Sequence, residues 1–323
     1  HSSFETLYYS LLMNFLSREA QESDFATVQR IVDANQKALN PDEISFGEME
    51  AKELLQGFFD PSINRLLKVN ENDEWECLIS LHPDLDRERF YLDIYRTPSS
   101  SLLPIALGMA IDLAREANPT FRLWPGVHSA DLYYQDLLAQ RGFKVLRRYW
   151  LMQMKLGLGS PISLPEGAEL IEVGSDEQLL FEMWQIHQDS FSEHFGFMPR
   201  TFESWSKKVI QDSREKNQKA WILRMNGEGV GFVDWDDSLL HEDSGYVSGL
   251  GVRKAYQGRG LGEILLRYAI KENTEAGREK LALNVDAGNE SGALRLYEKV
   301  GMSISSEWHQ YENPNWAISQ DRS

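Results

Sequence analysis

The chain has 323 residues, enough for about two domains each with its own apolar core, which excludes a small cross-linked scaffold. Hydrophobic residues make up 42 %, no apolar run reaches the ~20 residues of a membrane crossing, and a net charge of −17 opposes contact with a nucleic-acid backbone or an anionic bilayer. Cys77 is the only cysteine, so an internal disulfide and a cysteine metal cluster are excluded; without a basic-then-apolar leader the chain reads as cytoplasmic.

In chain order, Phe25, Val28, Ile31 and Val32 recur at helical spacing. Glu74 to Leu81 is strand-like, and Cys77 within it reads as a small buried hydrophobe. The clearest break is the Gly, Ser and Pro-rich stretch from Leu156 to Gly167, which predicts a linker and two domains, residues 12–157 and 158–323. Beyond it, Ser175 to Gln178 form a capping box before a helix marked by Leu179, Leu180, Met183, Ile186 and His187. A second helix covers Phe202 to Gln211. Ala220 to Met225 and Val230 to Trp235 form a hairpin about Asn226-Gly227. Gly245 to Val252 is a strand that enters a glycine-rich turn, followed by a helix from about Gly260. A short strand at Leu281 to Val285, a helix at Ser291 to Lys299 ended by Gly301, and a strand at Met302 to Tyr311 close the chain.

The first half repeats this plan. Gly142 lies 159 positions before Gly301, and the same offset sets Leu250 on Tyr91, Leu265 on Ala106, Ala276 on Ala117 and Trp308 on Tyr149 without a gap. Strand, turn, helix, strand and helix stay in phase, which predicts a duplicated fold.

The stretch with chemical content is Gln257-Gly258-Arg259-Gly260-Leu261-Gly262, between a predicted strand and a predicted helix. A helix N-terminus there offers unsatisfied N–H groups and about half a positive charge, and glycines admit a phosphate to hydrogen-bond distance. The stretch lacks the Gly-Lys-Ser/Thr of a P-loop and has Glu263 where a dinucleotide fingerprint needs glycine.

With these residues the sequence resembles the GNAT acetyltransferase superfamily, whose signature of Gln or Arg, two residues, Gly, one residue, Gly or Ala is matched by Gln257, Gly260 and Gly262. The likeness extends through Leu250-Gly251-Val252-Arg253 before the loop and Asn289, Ala293, Leu296, Tyr297 and Gly301 after it, covering about residues 168–312 well. The resemblance implies two tandem α/β domains, each a mostly antiparallel splayed sheet flanked by helices. It also implies acetyl-CoA as cosubstrate, its pyrophosphate on the amides of Gln257, Gly258, Arg259, Gly260, Leu261 and Gly262 and its pantetheine arm beside Leu250, Gly251 and Val252. Arg253, Lys254, Arg259 and Arg267 would add local positive charge, with solvated surface the plain alternative for Lys254 and Arg267.

Acetyl transfer to an amine needs a base, a polarising N–H and an acid for the departing thiolate. The resemblance places Tyr297 as the acid, or otherwise as a core aromatic, and Asn289 on the cofactor arm, or otherwise as a helix cap. Many relatives carry glutamate eleven residues before the signature Gln; here that residue is Tyr246. Glu242, Asp243, Asp234, Asp236 or a water held by Tyr246 and Ser248 stay open as base, each acidic residue having a solvated loop charge as its plain reading. The acidic cluster would favour a cationic amine.

His187 to Trp205, with His194, falls where similar proteins line the acceptor site; no third ligand accompanies the two histidines, so no metal is expected. At the offset of 159, Gln257, Gly260, Gly262, Asn289 and Tyr297 become Pro98, Ser101, Leu103, Ala130 and Leu138, so the first domain reads as degenerate and the second as catalytic. That layout resembles mycothiol synthase-like members of the superfamily. The expectation is an N-acetyltransferase acting on a small-molecule or peptide amine, with no nucleic-acid or membrane partner. The alternative is a non-catalytic acyl-CoA binding module.

Overall fold

A computed structural model describes residues 14–57, 61–157, 162–288 and 292–316. The chain divides into two compact units: one runs to Tyr149 and takes back the segment from Ser306, and the other is Trp150–Ser305. The boundary expected between residues 157 and 158 adjoins residues 158–161, which lie outside the described residues.

In the first unit the elements are β1 (Phe15–Glu19), α1 (Phe25–Leu39), α2 (Glu48–Gln56), β2 (Ile63–Val69), β3 (Cys77–Asp84), β4 (Arg89–Arg96), α3 (Leu103–Ala117), β5 (Arg122–His128), α4 (Leu132–Gln140) and the start of β6 (Lys144–Lys155). Strands β1 to β4 pair antiparallel in sequence order, and β4 then pairs parallel with β5. Every residue of β3 is buried, Cys77 included, as for a strand covered on both faces. Leu103 and Leu107 of α3 pack with Ile79, Leu81 and Leu92 on one face; Val28, Ile31 and Val32 of α1 pack with Leu66 and Leu78 on the other.

The second unit repeats the order: β7 (Ala168–Glu172), α5 (Glu177–Phe191), α6 (Phe202–Glu215), β8 (Lys219–Met225), β9 (Glu228–Asp236), β10 (Ser244–Val252), α7 (Leu261–Glu275), β11 (Lys280–Asp286), α8 (Ala293–Lys299) and β12 (Ser303–Glu312). Subtracting 159 brings α7, β11, α8 and β12 onto α3, β5, α4 and β6 to within two residues at either end. Helix α5 starts one residue later than the expected capping box: Asp176, not Ser175, accepts from the N–H groups of Gln178 and Leu179. The β8–β9 hairpin turns on Asn226 (φ 51°) and Gly227 (φ 84°), as an Asn-Gly pair favours. Val233 and Trp235 of β9 face α7, whereas Phe232 faces α5 and α6.

The units exchange their last strands. The segment of β12 beyond Ser305 belongs to the first unit, where Trp308 pairs with His128 and Gln310 with Gly126 of β5. From Trp150 onward β6 belongs to the second unit, beside β11. No local pattern in the sequence signals this exchange.

Candidate functional site

Strands β10 and β11 pair in parallel only from Ser244↔Lys280 to Val247↔Leu283, although they continue to Val252 and Asp286. They part where the register of β10 against β9 slips between Val247 and Gly249, a bulge that leaves Ser248 exposed. The opening is a cleft of ≈ 470 Å³, walled by β10, β11, the turn before α7, α8 and the end of α5. In the first unit β3 and β4 pair from Cys77↔Arg96 to Asp84↔Arg89 without a slip, and the space there lined by Tyr95, Val127, Tyr134 and Trp308 measures ≈ 10 Å³.

At one end of the cleft the turn Gln257–Gly262 enters α7. Gly258 (φ 75°) and Gly260 (φ 77°) hold left-handed backbone that other residues rarely adopt, and an added Cβ at either would meet open space. Gly260 is the N-cap of α7 and supplies no side-chain acceptor, so the first N–H groups of a fifteen-residue helix are left for another acceptor. The Gln257 side chain donates to the carbonyl of Val252 (3.0 Å) and fastens the turn to β10. A Cβ on Gly262 would press on Leu296 of α8 at 3.3 Å. Of the basic residues picked out by sequence, Arg253 donates to the Gly229 carbonyl, Lys254 pairs with Glu193, Arg267 pairs with Glu263, and Arg259 lies over the Tyr256 ring. Lys299 and Arg295 also line the cleft, and Lys299 pairs with Glu263 at 2.6 Å. Sequence reading missed both, although their i, i+4 spacing on α8 puts them on one face.

Tyr297 lines the cleft from α8, 8 % exposed, with its phenol pushed up to about 12 by burial. Tyr246 accepts a hydrogen bond from Asn284, itself a cleft residue of β11, and burial pushes its phenol up to about 12. Glu242 pairs with Lys280 at the far end of β10, and Asp243 sits in a left-handed turn (φ 53°) whose carbonyl accepts from Glu279 and Lys280; neither lines the cleft. Asp236 is buried and holds Ser238. Asp234 is buried behind the bulge, accepting from Ser248 Oγ (2.5 Å) and Gln218 Nε2 (3.1 Å), with its carboxyl pushed up to about 6 chiefly by burial. Asn289 lies outside the described residues.

The end of α5 and the residues just after it close another side of the cleft. His187 is enclosed by Phe191, Phe197, Trp205 and Phe232, and burial pulls its imidazole down to about 4. His194 packs on Phe191 and lines the cleft, its pKa lowered by burial against the pull of Asp286. Among the described residues, no group of three His, Cys, Asp or Glu side chains is placed to hold a metal ion, and no helix is long and apolar enough to cross a membrane.

The acetyltransferase (GNAT) family model matches residues 180–302, the stretch that carries this cleft. The uncharacterized N-acetyltransferase YdgE of Bacillus subtilis is 31 % identical over 146 residues, covering 40 % of this chain and 92 % of its own. The chain belongs to the GNAT family of acetyltransferases. Among other GNAT relatives, mycothiol acetyltransferases of Propionibacterium freudenreichii and Catenulispora acidiphila are 26 % and 24 % identical over 58 % and 61 % of this chain. The match spans 60 % and 63 % of their own lengths. A GCN5-related N-acetyltransferase from Sphaerobacter thermophilus superposes with a TM-score of 0.76 at 20 % identity, over 92 % of this chain and 95 % of its own. A tandem GNAT protein from the clavulanic acid biosynthesis pathway superposes with a TM-score of 0.71 at 13 % identity, over 92 % and 98 %. The fold is thus two tandem GNAT units, with the open cleft in the second.

Proposed function

We propose that the second unit binds acetyl-CoA in the cleft between β10 and β11 and transfers its acetyl group to a primary amine of a small molecule or peptide. The observation that carries this reading is the pairing of an uncapped helix N-terminus over open glycine backbone with parted strands that lead toward Tyr297. The fit is chemical as well as spatial. A diphosphate suits the amides of Gly258 to Gly262, and Lys299 and Arg295 bring positive charge to the same wall of a strongly acidic chain. Bare backbone at Gly249 and Gly251 suits an amide-bearing arm laid along β10, whose N–H and C=O groups are freed where β11 departs.

The carrier supplies an acetyl thioester when bound. Leu250, Gly251 and Val252 would align the arm, and a backbone N–H at the Ser248 bulge would polarise the thioester carbonyl. Tyr297, neutral at physiological pH, would protonate the departing sulfur. The wall of Phe191, His194 and Asp286 would receive the amine. That a relative and a structural neighbour are named N-acetyltransferases supports a nitrogen acceptor.

The test is titration calorimetry with acetyl-CoA followed by mass spectrometry of tyramine, spermidine, glucosamine and an alanyl peptide incubated with both. Binding together with a gain of one acetyl group on an amine is the expected result. Binding with no acetylated amine would favour the acyl-CoA binding module, and absence of binding would overturn the site.

A further inference from the structure

We propose, resting on the acetyl-transfer reading above, that Ser248 and Asp234 form a proton relay that takes the acceptor ammonium's proton out of the cleft through the β10 bulge. Glu242, Asp243 and Tyr246, the groups at the start of β10, do not line the cleft, so the ammonium's proton needs another way out. Glu242 is paired with Lys280 at the far end of the strand, and the Asp243 backbone closes a turn. The Tyr246 hydroxyl is held by Asn284.

Asp234 differs from these. It leaves β9 on the face of Phe232, toward α5 and α6, and reaches the back of the bulge, where a Cβ on Gly249 would meet its Oδ2 at 2.6 Å. Its Oδ1 receives both Ser248 Oγ at 2.5 Å and Gln218 Nε2 at 3.1 Å. Gln218 also donates to Ser248 Oγ at 3.4 Å, so one amide orients both ends of the relay. Ser248 is exposed and lines the cleft, whereas Asp234 is 6 % exposed; the hydroxyl is therefore the carboxylate's link to an acceptor in the cleft. The bulge turns that hydroxyl out, and the first unit, whose β3–β4 ladder runs without a slip, has a space of ≈ 10 Å³ there.

Several groups face Asp234. They are Asp236 on β9, Tyr246 on β10, Asp212 on α6 with Lys216 just beyond it, and His187 of α5 against the neighbouring Phe232 ring. Burial and the two aspartates push the Asp234 carboxyl up to about 6, against the pull of Ser248 and Gln218. A carboxylate there accepts a proton from an amine more readily than a surface one.

The protons balance. One ammonium proton passes to Ser248 Oγ as that hydroxyl passes its own to Asp234 Oδ1. The freed nitrogen lone pair forms the C–N bond while the C–S pair leaves with sulfur, to which Tyr297 gives its phenol proton. The surplus N–H proton of the new amide restores the phenol, and Asp234 releases its proton to solvent.

Ser248→Ala, Ser248→Thr, Asp234→Asn and His194→Gln are compared with the wild type. The amine is whichever of tyramine, spermidine, glucosamine or the alanyl peptide the wild type acetylates. The relay predicts that kcat falls about 10²-fold in Ser248→Ala and Asp234→Asn, that Ser248→Thr restores it, and that acetyl-CoA Kd stays within about twofold. In the wild type kcat falls as pH drops through about 6, and this limb vanishes in Asp234→Asn. Apart from turnover, 13C NMR titration of the Asp234 carboxyl should move upward in Ser248→Ala, because a hydrogen bond to the charged form is lost. Unchanged kcat and pH profile in Ser248→Ala would overturn the relay while leaving acetyl transfer intact. So would loss of the limb in His194→Gln with its retention in Asp234→Asn. No acetylated amine in the wild type would overturn both.

Discussion

Tyr297 keeps its proton at neutral pH because burial disfavours the phenolate, which suits a group that donates to a thiolate and recovers afterwards. Tyr297→Phe should therefore lower kcat about 10²-fold with acetyl-CoA affinity nearly unchanged, read by steady-state thiol release and calorimetry; equal rates would remove the phenol from the chemistry. His187 is the opposite case, a base held neutral by its aromatic surroundings. The unfolded chain binds its proton near pH 6.5 and the folded one only near 4. Its burial thus favours folding above about pH 6.5, and that advantage, up to about 3 kcal/mol, is lost as pH falls toward 4. His187→Gln should flatten the drop in melting temperature between those pH values; an unchanged slope would contradict the assignment. Tyr297 and the turn glycines are picked out in sequence by a resemblance running from Leu250 to Gly301, and the structure puts both on the cleft. Ser248, Asp234, Gln218, Asn284 and Asp286 gather only through strand pairing, and a carboxylate fourteen positions from its serine leaves no spacing signal.

Elements with local instructions follow the sequence closely. Asn226-Gly227 fixes the β8–β9 turn, and Gly301 (φ 100°) ends α8 as expected. The bulge in β10 is different: Gly, Ser and Val alternate without marking where the register slips, and only the ladder against β9 reveals it. Glycine at 251 has a packing reason, since an added Cβ would lie 2.4 Å from Ser190 Oγ and 2.7 Å from the Phe232 ring. Gly251→Ala should force α5 and the strand apart and cost about 1–3 kcal/mol, visible as a lower melting temperature in calorimetry; an unaltered value would show that the helix yields freely. In the Gln257–Gly262 turn, Gly260→Asp places a carboxylate over the helix N-terminus and a side chain at φ 77°. It should reduce acetyl-CoA affinity at least about 100-fold, which is about 3 kcal/mol, and undiminished affinity would contradict the cradle.

At the scale of the whole molecule, duplication is visible as a constant offset, at which the first copy carries Pro98, Ser101 and Leu103 where the second has Gln257, Gly260 and Gly262. The strand exchange is not, because β6 and β12 have the same pattern whichever sheet receives them. It has a consequence for dissection. A break after Gly157 takes residues 306–312 from beside β5 and residues 150–155 from beside β11. Each fragment alone should expose a strand edge and aggregate, whereas co-expression should give a soluble complex with one cooperative melt. Two soluble, independently folded fragments would contradict the exchange. The contrast between a cleft of ≈ 470 Å³ and a space of ≈ 10 Å³ supports the proposal that acetyl-CoA binds in the second unit. The most direct trial of that assignment is a crystal structure of the full chain grown with acetyl-CoA. One molecule per chain, its diphosphate against Gly258 to Gly262 and its thioester between Ser248 and Tyr297, is the expected result. Density for the carrier in the first unit, or elsewhere on the second, would contradict it.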